Sequence, residues 1–134
     1  MRLNYAIVFV SDMAASVEFY WNVLGLPLKF ETPDWTEFST EGATLALHEA
    51  NAPSSIEVRQ NTNMAGQCHP GIEVSDLDKF HSRVTEQGVM CVQNPKSVFG
   101  VRIAHYLDPD GLVMGVSEKK VTADKSLHLP PGHD

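Results

Sequence analysis

The side chains of this sequence best placed to do chemistry are His48, His69, His105 and Glu73. His48 lies in the run TLALHE, His69 heads HPGIEV, and His105 lies in VRIAHYL, each a short segment with strand character. Imidazole binds divalent metals and titrates near neutral pH, so a convergence of His48, His69 and His105 would create either a displaced metal site or a proton-handling cluster. Residues two apart on a strand share a face, which puts Glu73 on the side of His69. A carboxylate and an imidazole together could serve as base and acid, making His69 and Glu73 the catalytic candidates. The ordinary alternative for each of these residues is a polar wall position satisfied by a hydrogen bond. No serine has a nucleophile-elbow context, and no glycine-rich loop follows a strand in the phosphate-binding arrangement. Cys68 and Cys91 lack CxxC or zinc-like spacing and read as ordinary thiols.

Apolar and aromatic residues fall on the same predicted strand faces. Tyr5, Ile7, Phe9, Phe99 and Ile103 would form a wall, with Trp35 and Phe38 either at its mouth or on a strand whose register the sequence leaves open, and the small Ala46 and Gly115 between them. A largely apolar wall carrying a few polar groups suits a planar organic ligand. Gly115 sits in YLDPDGLVMGVSE, where Asp108, Pro109, Asp110 and Gly111 supply turn chemistry between two strands. A glycine in mid-strand usually marks a bulge or a close approach.

These residues are positioned by a chain that repeats itself. YAIVFVSDM, starting at Tyr5, superimposes on HPGIEVSDL, starting at His69, an offset of 64 residues. Each copy is a β-rich run, a Ser-Asp pair suited to capping a helix, and an amphipathic stretch closed by glycine: Met13 to Leu24 with Gly25, and Leu77 to Gln87 with Gly88. Three short strands are expected after each helix: Leu28 to Thr32, Trp35 to Ser39 and Thr44 to Glu49, then Val89 to Gln93, Val101 to Leu107 and Leu112 to Ser117. The prediction is an α+β fold of two paired βαβββ modules in one domain, residues 1–118. Module one covers residues 1–50, a polar connector 51–66 with a short strand at Ile56 to Val58, and module two 67–118, followed by a polar tail, 119–134. Paired modules curling toward each other would enclose a concave space.

Composition narrows the partners. The 134 residues suffice for one compact domain. Ten basic residues against 17 acidic give a net charge of −7, which argues against a nucleic-acid or anionic-membrane partner and favours a neutral or cationic small molecule. The run Tyr5 to Val10 is too short to span a bilayer and no cleavage site follows it, so a cytoplasmic protein is expected.

The phrases VSDMAASVEFYWNVLGL and YLDPDGLVMGVSE, with the duplicated βαβββ order, resemble the vicinal oxygen chelate superfamily of glyoxalases, bleomycin-resistance proteins and extradiol dioxygenases, over residues 1–118. The resemblance implies a cup-shaped sheet. It also implies that in the metalloenzymes the first and last strand of each module present a ligand, typically His or Glu, to a divalent metal. Carried over, these positions are Tyr5, Ala46, His69 and Gly115, and only His69 is a good ligand. The expectation is therefore a binder of a small organic molecule in the manner of bleomycin-resistance proteins, with no cofactor, sequestering an antibiotic or metabolite. Its ligand contacts would be Tyr5, Ile7, Phe9, Trp35, Ala46, His48, His69, Glu73, Phe99, Ile103, His105 and Gly115. The alternative is a lyase, isomerase or dioxygenase of glyoxalase type using a divalent metal on His48, His69 and His105. Relatives of this length often form homodimers, so a homodimer is implied.

Overall fold

The computed structural model describes residues 1–51 and 65–120. Module one runs β1 (Tyr5–Val10), α1 (Met13–Val17, continuing as a π-helical segment over Glu18–Val23), β2 (Leu28–Glu31), β3 (Trp35–Phe38) and β4 (Thr44–Glu49). Module two runs β5 (Gly71–Val74), α2 (Leu77–Glu86), β6 (Cys91–Val98), β7 (Val101–Leu107) and β8 (Val113–Glu118). The sheets are ordered β1-β4-β3-β2 and β5-β8-β7-β6, with β1 parallel to β4 and β5 parallel to β8. This is the duplicated βαβββ architecture. The expected strand at Ile56 to Val58, the tail residues 121–134 and most of the connector lie outside the described residues. Among the described residues no helix is long and apolar enough to cross a membrane.

Both Ser-Asp pairs start helices as their chemistry requires. The Asp12 carboxylate accepts from the Ala15 amide at 3.1 Å, and the Asp76 carboxylate from the Lys79 amide at 3.0 Å, each meeting one of the amides that a helix start leaves without a partner. Gly25 and Gly88 close the helical segments with φ of 94° and 90°, a conformation costly for other residues. The π-helical second half of α1 departs from the regular helix expected over Met13 to Leu24. Its wider turn, marked by the Leu24 amide bonding Phe19 O at 2.8 Å, accompanies burial of the adjacent Phe19 and Tyr20 rings, which pack edge to face at 5.1 Å.

The longest revision of a boundary is β6, which extends to Val98 rather than ending near Gln93. Pro95 lies within it. Two register shifts, around Gln93 and between Gln93 and Lys96, relieve the ladder where proline has no amide to donate.

One core joins the modules. Val8, Val10, Phe38, Leu45 and Leu47 bury against α1, and Ala104, Tyr106, Met114 and Val116 against α2. Phe38, expected at a cavity mouth, is fully buried beside Tyr20. Polar contacts also cross the junction. The Tyr20 hydroxyl donates to Asp108 Oδ2 at 2.7 Å, the Ser11 amide donates to Asp110 at 3.0 Å, and Arg83 donates to the carbonyls of Val23 and Leu24 where α1 ends. A guanidinium at a helix C-terminus meets both the dipole and the carbonyls left without amides.

Candidate functional site

Pairing register sets which residues share the faces turned away from the helices. On module one, Phe9, His48 and Trp35 align in a row across β1, β4 and β3, and Ile7, Ala46 and Glu37 form the next row. Tyr5 lies beside Thr44 in the row beyond. Tyr5 and Phe9 are more than half exposed, at 55% and 61%, so large rings here meet solvent rather than core. His48 packs between Phe9, at 5.4 Å between ring centres, and Trp35, at 5.7 Å and perpendicular. Its Nδ1 lies 2.7 Å from the Glu49 carbonyl. The Trp35 indole N–H donates to Glu37 at 2.9 Å, so both side chains lie on this face.

On module two, His105 stands opposite Gly115, as expected from the hairpin, and His69 precedes β5 rather than lying in it. The His69 and His105 rings are 6.1 Å apart. Burial lowers the His105 pKa from the ordinary histidine value, and the nearby His69 and Lys96 push it in the same direction. Glu73 is exposed, opposite Ser117, and Ile103 lies half-buried in the same set of rows. Gly115 is not required by crowding. A Cβ there would meet Pro70 O at 3.8 Å and Gly71 Cα and His105 Cδ2 at 3.9 Å, all ordinary contacts.

Two expected contacts are corrected. Phe99 does not line a wall: it occupies the tip of the β6–β7 hairpin, 99% exposed. Phe99 and Gly100 have φ of 51° and 80°, so two residues with left-handed backbone join Val98 to its partner Val101, a turn whose geometry decides the ring's position. Ala46 keeps its place on the face but has no exposed surface. The carboxylate of Glu37, which register places beside Ala46, is the face residue sequence reasoning missed. The alternation of Trp35 and Glu37 in WTEF was the available signal.

A cleft of about 1360 Å³ separates the modules, lined by Ile7 and Phe9 on one side and His69, Gly71 and Glu73 on the other. The aromatic row reaches this cleft only through Phe9; His48, Trp35 and His105 lie beyond its rim. The residues expected to form one cup are thus distributed over a cleft and the two sheet faces beside it.

The four positions where the resemblance puts metal ligands hold a phenol, a methyl, an imidazole and a glycine. That set does not fit a divalent ion, which needs three or four donors. Among the described residues no group of three or more His, Cys, Asp or Glu is close enough to hold one, and His48 does not join the His69–His105 pair.

A profile of the Glyoxalase/Bleomycin resistance protein/Dioxygenase superfamily matches residues 2–115. The chain belongs to this superfamily. It is similar to a probable lactoylglutathione lyase of Vibrio cholerae, 26% identical over 127 residues that cover 89% of this chain and 91% of the relative. Its structure resembles a glyoxalase/dioxygenase from Nostoc punctiforme, with a TM-score of 0.77, 20% identity and coverage of 90% of this chain and 92% of that one. It also resembles TnmS3, an antibiotic binding protein from Streptomyces sp. CB03234, with a TM-score of 0.69, 25% identity and coverage of 90% and 97%. Within the superfamily's shared fold, this chain combines donor-poor residues at the positions where the resemblance puts metal ligands with a partly exposed aromatic row.

Proposed function

We propose that this protein binds a small, planar or largely apolar organic molecule without the superfamily's standard metal centre, and so sequesters an antibiotic or metabolite. The observation that carries the reading is the residue set Tyr5, Ala46, His69 and Gly115 at the four ligand positions, beside an aromatic face that is open to solvent. Affinity would come from burying ligand and aromatic surface, at about 25 cal/mol per Å² before the cost of immobilising the ligand. Polar groups at the rim would fix orientation. The description of TnmS3 as antibiotic binding supports the same reading. A cytoplasmic location and a homodimer accompany it. The carbonyls of Asn4 and Val10 accept from the amides of Thr44 and Ala50, so the backbone groups of the alternate β1 residues point away from β4 at the edge of the sheet, where a second copy would pair.

The rival reading is a metal-dependent lyase of glyoxalase type. It draws on the closeness of His69 and His105 and on the similarity to the Vibrio protein. Two measurements separate them. Protein purified without chelator is analysed for metals, then titrated calorimetrically with a panel of planar antibiotics and aromatic metabolites, with and without EDTA. The proposal expects binding that EDTA does not change. A stoichiometric transition metal that disappears in His69→Ala would overturn it, as would a panel in which nothing binds.

A further inference from the structure

The aromatic row does more than offer apolar surface, because its central imidazole is fixed in one tautomer. A carbonyl oxygen only accepts, so the Nδ1 of His48, 2.7 Å from Glu49 O, carries the proton when the ring is neutral. Nε2 is then a hydrogen-bond acceptor, flanked by Phe9 and Trp35. In the neighbouring row Glu37 adds a carboxylate, one oxygen of which accepts from the Trp35 indole. The other lies 3.7 Å from Lys29 Nζ, an ion pair that is half exposed on the lysine side and so readily exchanged for another cation. Acceptors and π faces therefore dominate this patch, and its one nearby ammonium is loosely held.

Charge over the module points the same way. Residues 1–51 contain seven carboxylates, Asp12, Glu18, Glu31, Asp34, Glu37, Glu41 and Glu49, against two basic side chains, Arg2 and Lys29. An aromatic anion would meet this field unfavourably and would find no free donor at His48. A planar cation gains from the field, from the Glu37 carboxylate and from the quadrupoles of Trp35 and Phe9.

We propose that the Phe9–His48–Trp35 row, with Glu37, selects a planar aromatic cation bearing an N–H group, which donates to His48 Nε2 while its positive charge lies beside Glu37. This rests on the reading of the protein as a small-molecule binder and specifies the ligand's chemical class. Shape admits many flat molecules; the donor and the charge choose among them.

The test uses two flat three-ring probes of opposite charge, 9-aminoacridine and anthracene-9-carboxylate, titrated calorimetrically into the full-length protein. The cation is expected to bind at least tenfold more tightly than the anion. His48→Phe keeps an aromatic ring between Phe9 and Trp35 but removes the acceptor, and Glu37→Gln removes the charge while keeping the size. Each is expected to weaken 9-aminoacridine binding about tenfold, in line with loss of a charge-assisted contact, and to leave anthracene-9-carboxylate unchanged or tighter. Circular dichroism and thermal midpoints confirm that both variants are folded. Equal affinity for the two probes overturns the assignment of ligand class, as does a cation affinity unchanged in both variants. Binding of the anion alone overturns it too and leaves the small-molecule reading in place, whereas silence from both probes and from the wider panel removes both.

Discussion

Removing the Asp108 carboxylate should loosen the junction on which the relative placement of the two sheets depends. Asp108 is 5% exposed, accepts from the Tyr20 hydroxyl through Oδ2 at 2.7 Å, and accepts from the amides of Asp110 and Leu112 through Oδ1 at 2.9 and 2.8 Å. In Asp108→Ala the Tyr20 hydroxyl, on a fully buried residue, loses its short oxygen partner and keeps only a 3.5 Å contact with Met114 Sδ. An unsatisfied buried donor costs about 1–3 kcal/mol, and the two turn amides add to it to the extent that water cannot reach them, for a total of about 2–4 kcal/mol. Against a typical domain stability of about 5–15 kcal/mol that is a large fraction. Asp108→Asn is a different perturbation. Its Oδ1 keeps both amides, its Nδ2 can donate to the Tyr20 oxygen, and a buried charge disappears, so the expected change is within about 1 kcal/mol of the parent. Urea unfolding followed by circular dichroism measures both, and the alanine variant should also melt lower by about 4 °C for each kcal/mol lost. An alanine variant that loses less than about 1 kcal/mol, or an asparagine variant that loses as much as alanine, would refute the hydrogen-bond accounting.

Two further outcomes follow from the same structure. Burial raises the Asp108 pKa above the ordinary 3.8, with Asp110 reinforcing the shift and the hydrogen bonds from Tyr20, Leu112 and Asp110 opposing it. The native state then holds the proton more tightly than the unfolded chain, so stability relative to Asp108→Asn should fall as pH rises from 3.8 through the native pKa, a trend that paired urea titrations would reverse if the shift were downward. Phe99→Asn places a residue tolerant of left-handed backbone at the exposed hairpin tip, where φ is 51°, and should raise stability by about 0.5–1 kcal/mol; a thermal midpoint that falls would show that the phenylalanine ring has a partner on the folded protein.

The repeat, the helix caps and the strand order were legible because they are local. The Ser-Asp pairs, the glycines after each amphipathic stretch and the alternating runs each fix a few neighbouring dihedrals, and the two copies corroborate one another across 64 residues. The opposition of His105 and Gly115 was also legible, since a short turn sets a hairpin's register. Bulged β6 was harder: a run containing Pro95 reads as interrupted, and only the ladder with β7 shows how two shifts accommodate it.

The sequence by itself determined what kinds of side chain stand at the four positions where the family resemblance puts metal ligands, because that depends only on residue type once the resemblance is drawn. What only the tertiary structure decided is which of the remaining groups meet. It drew His69 toward His105, held His48 apart between Phe9 and Trp35, turned Phe99 out to the tip, and covered Ala46. The physical reason is that parity names the side of a strand on which a residue lies, while distances between strands follow from how two sheets pack across a shared core, held here by Tyr20, Asp108 and Arg83.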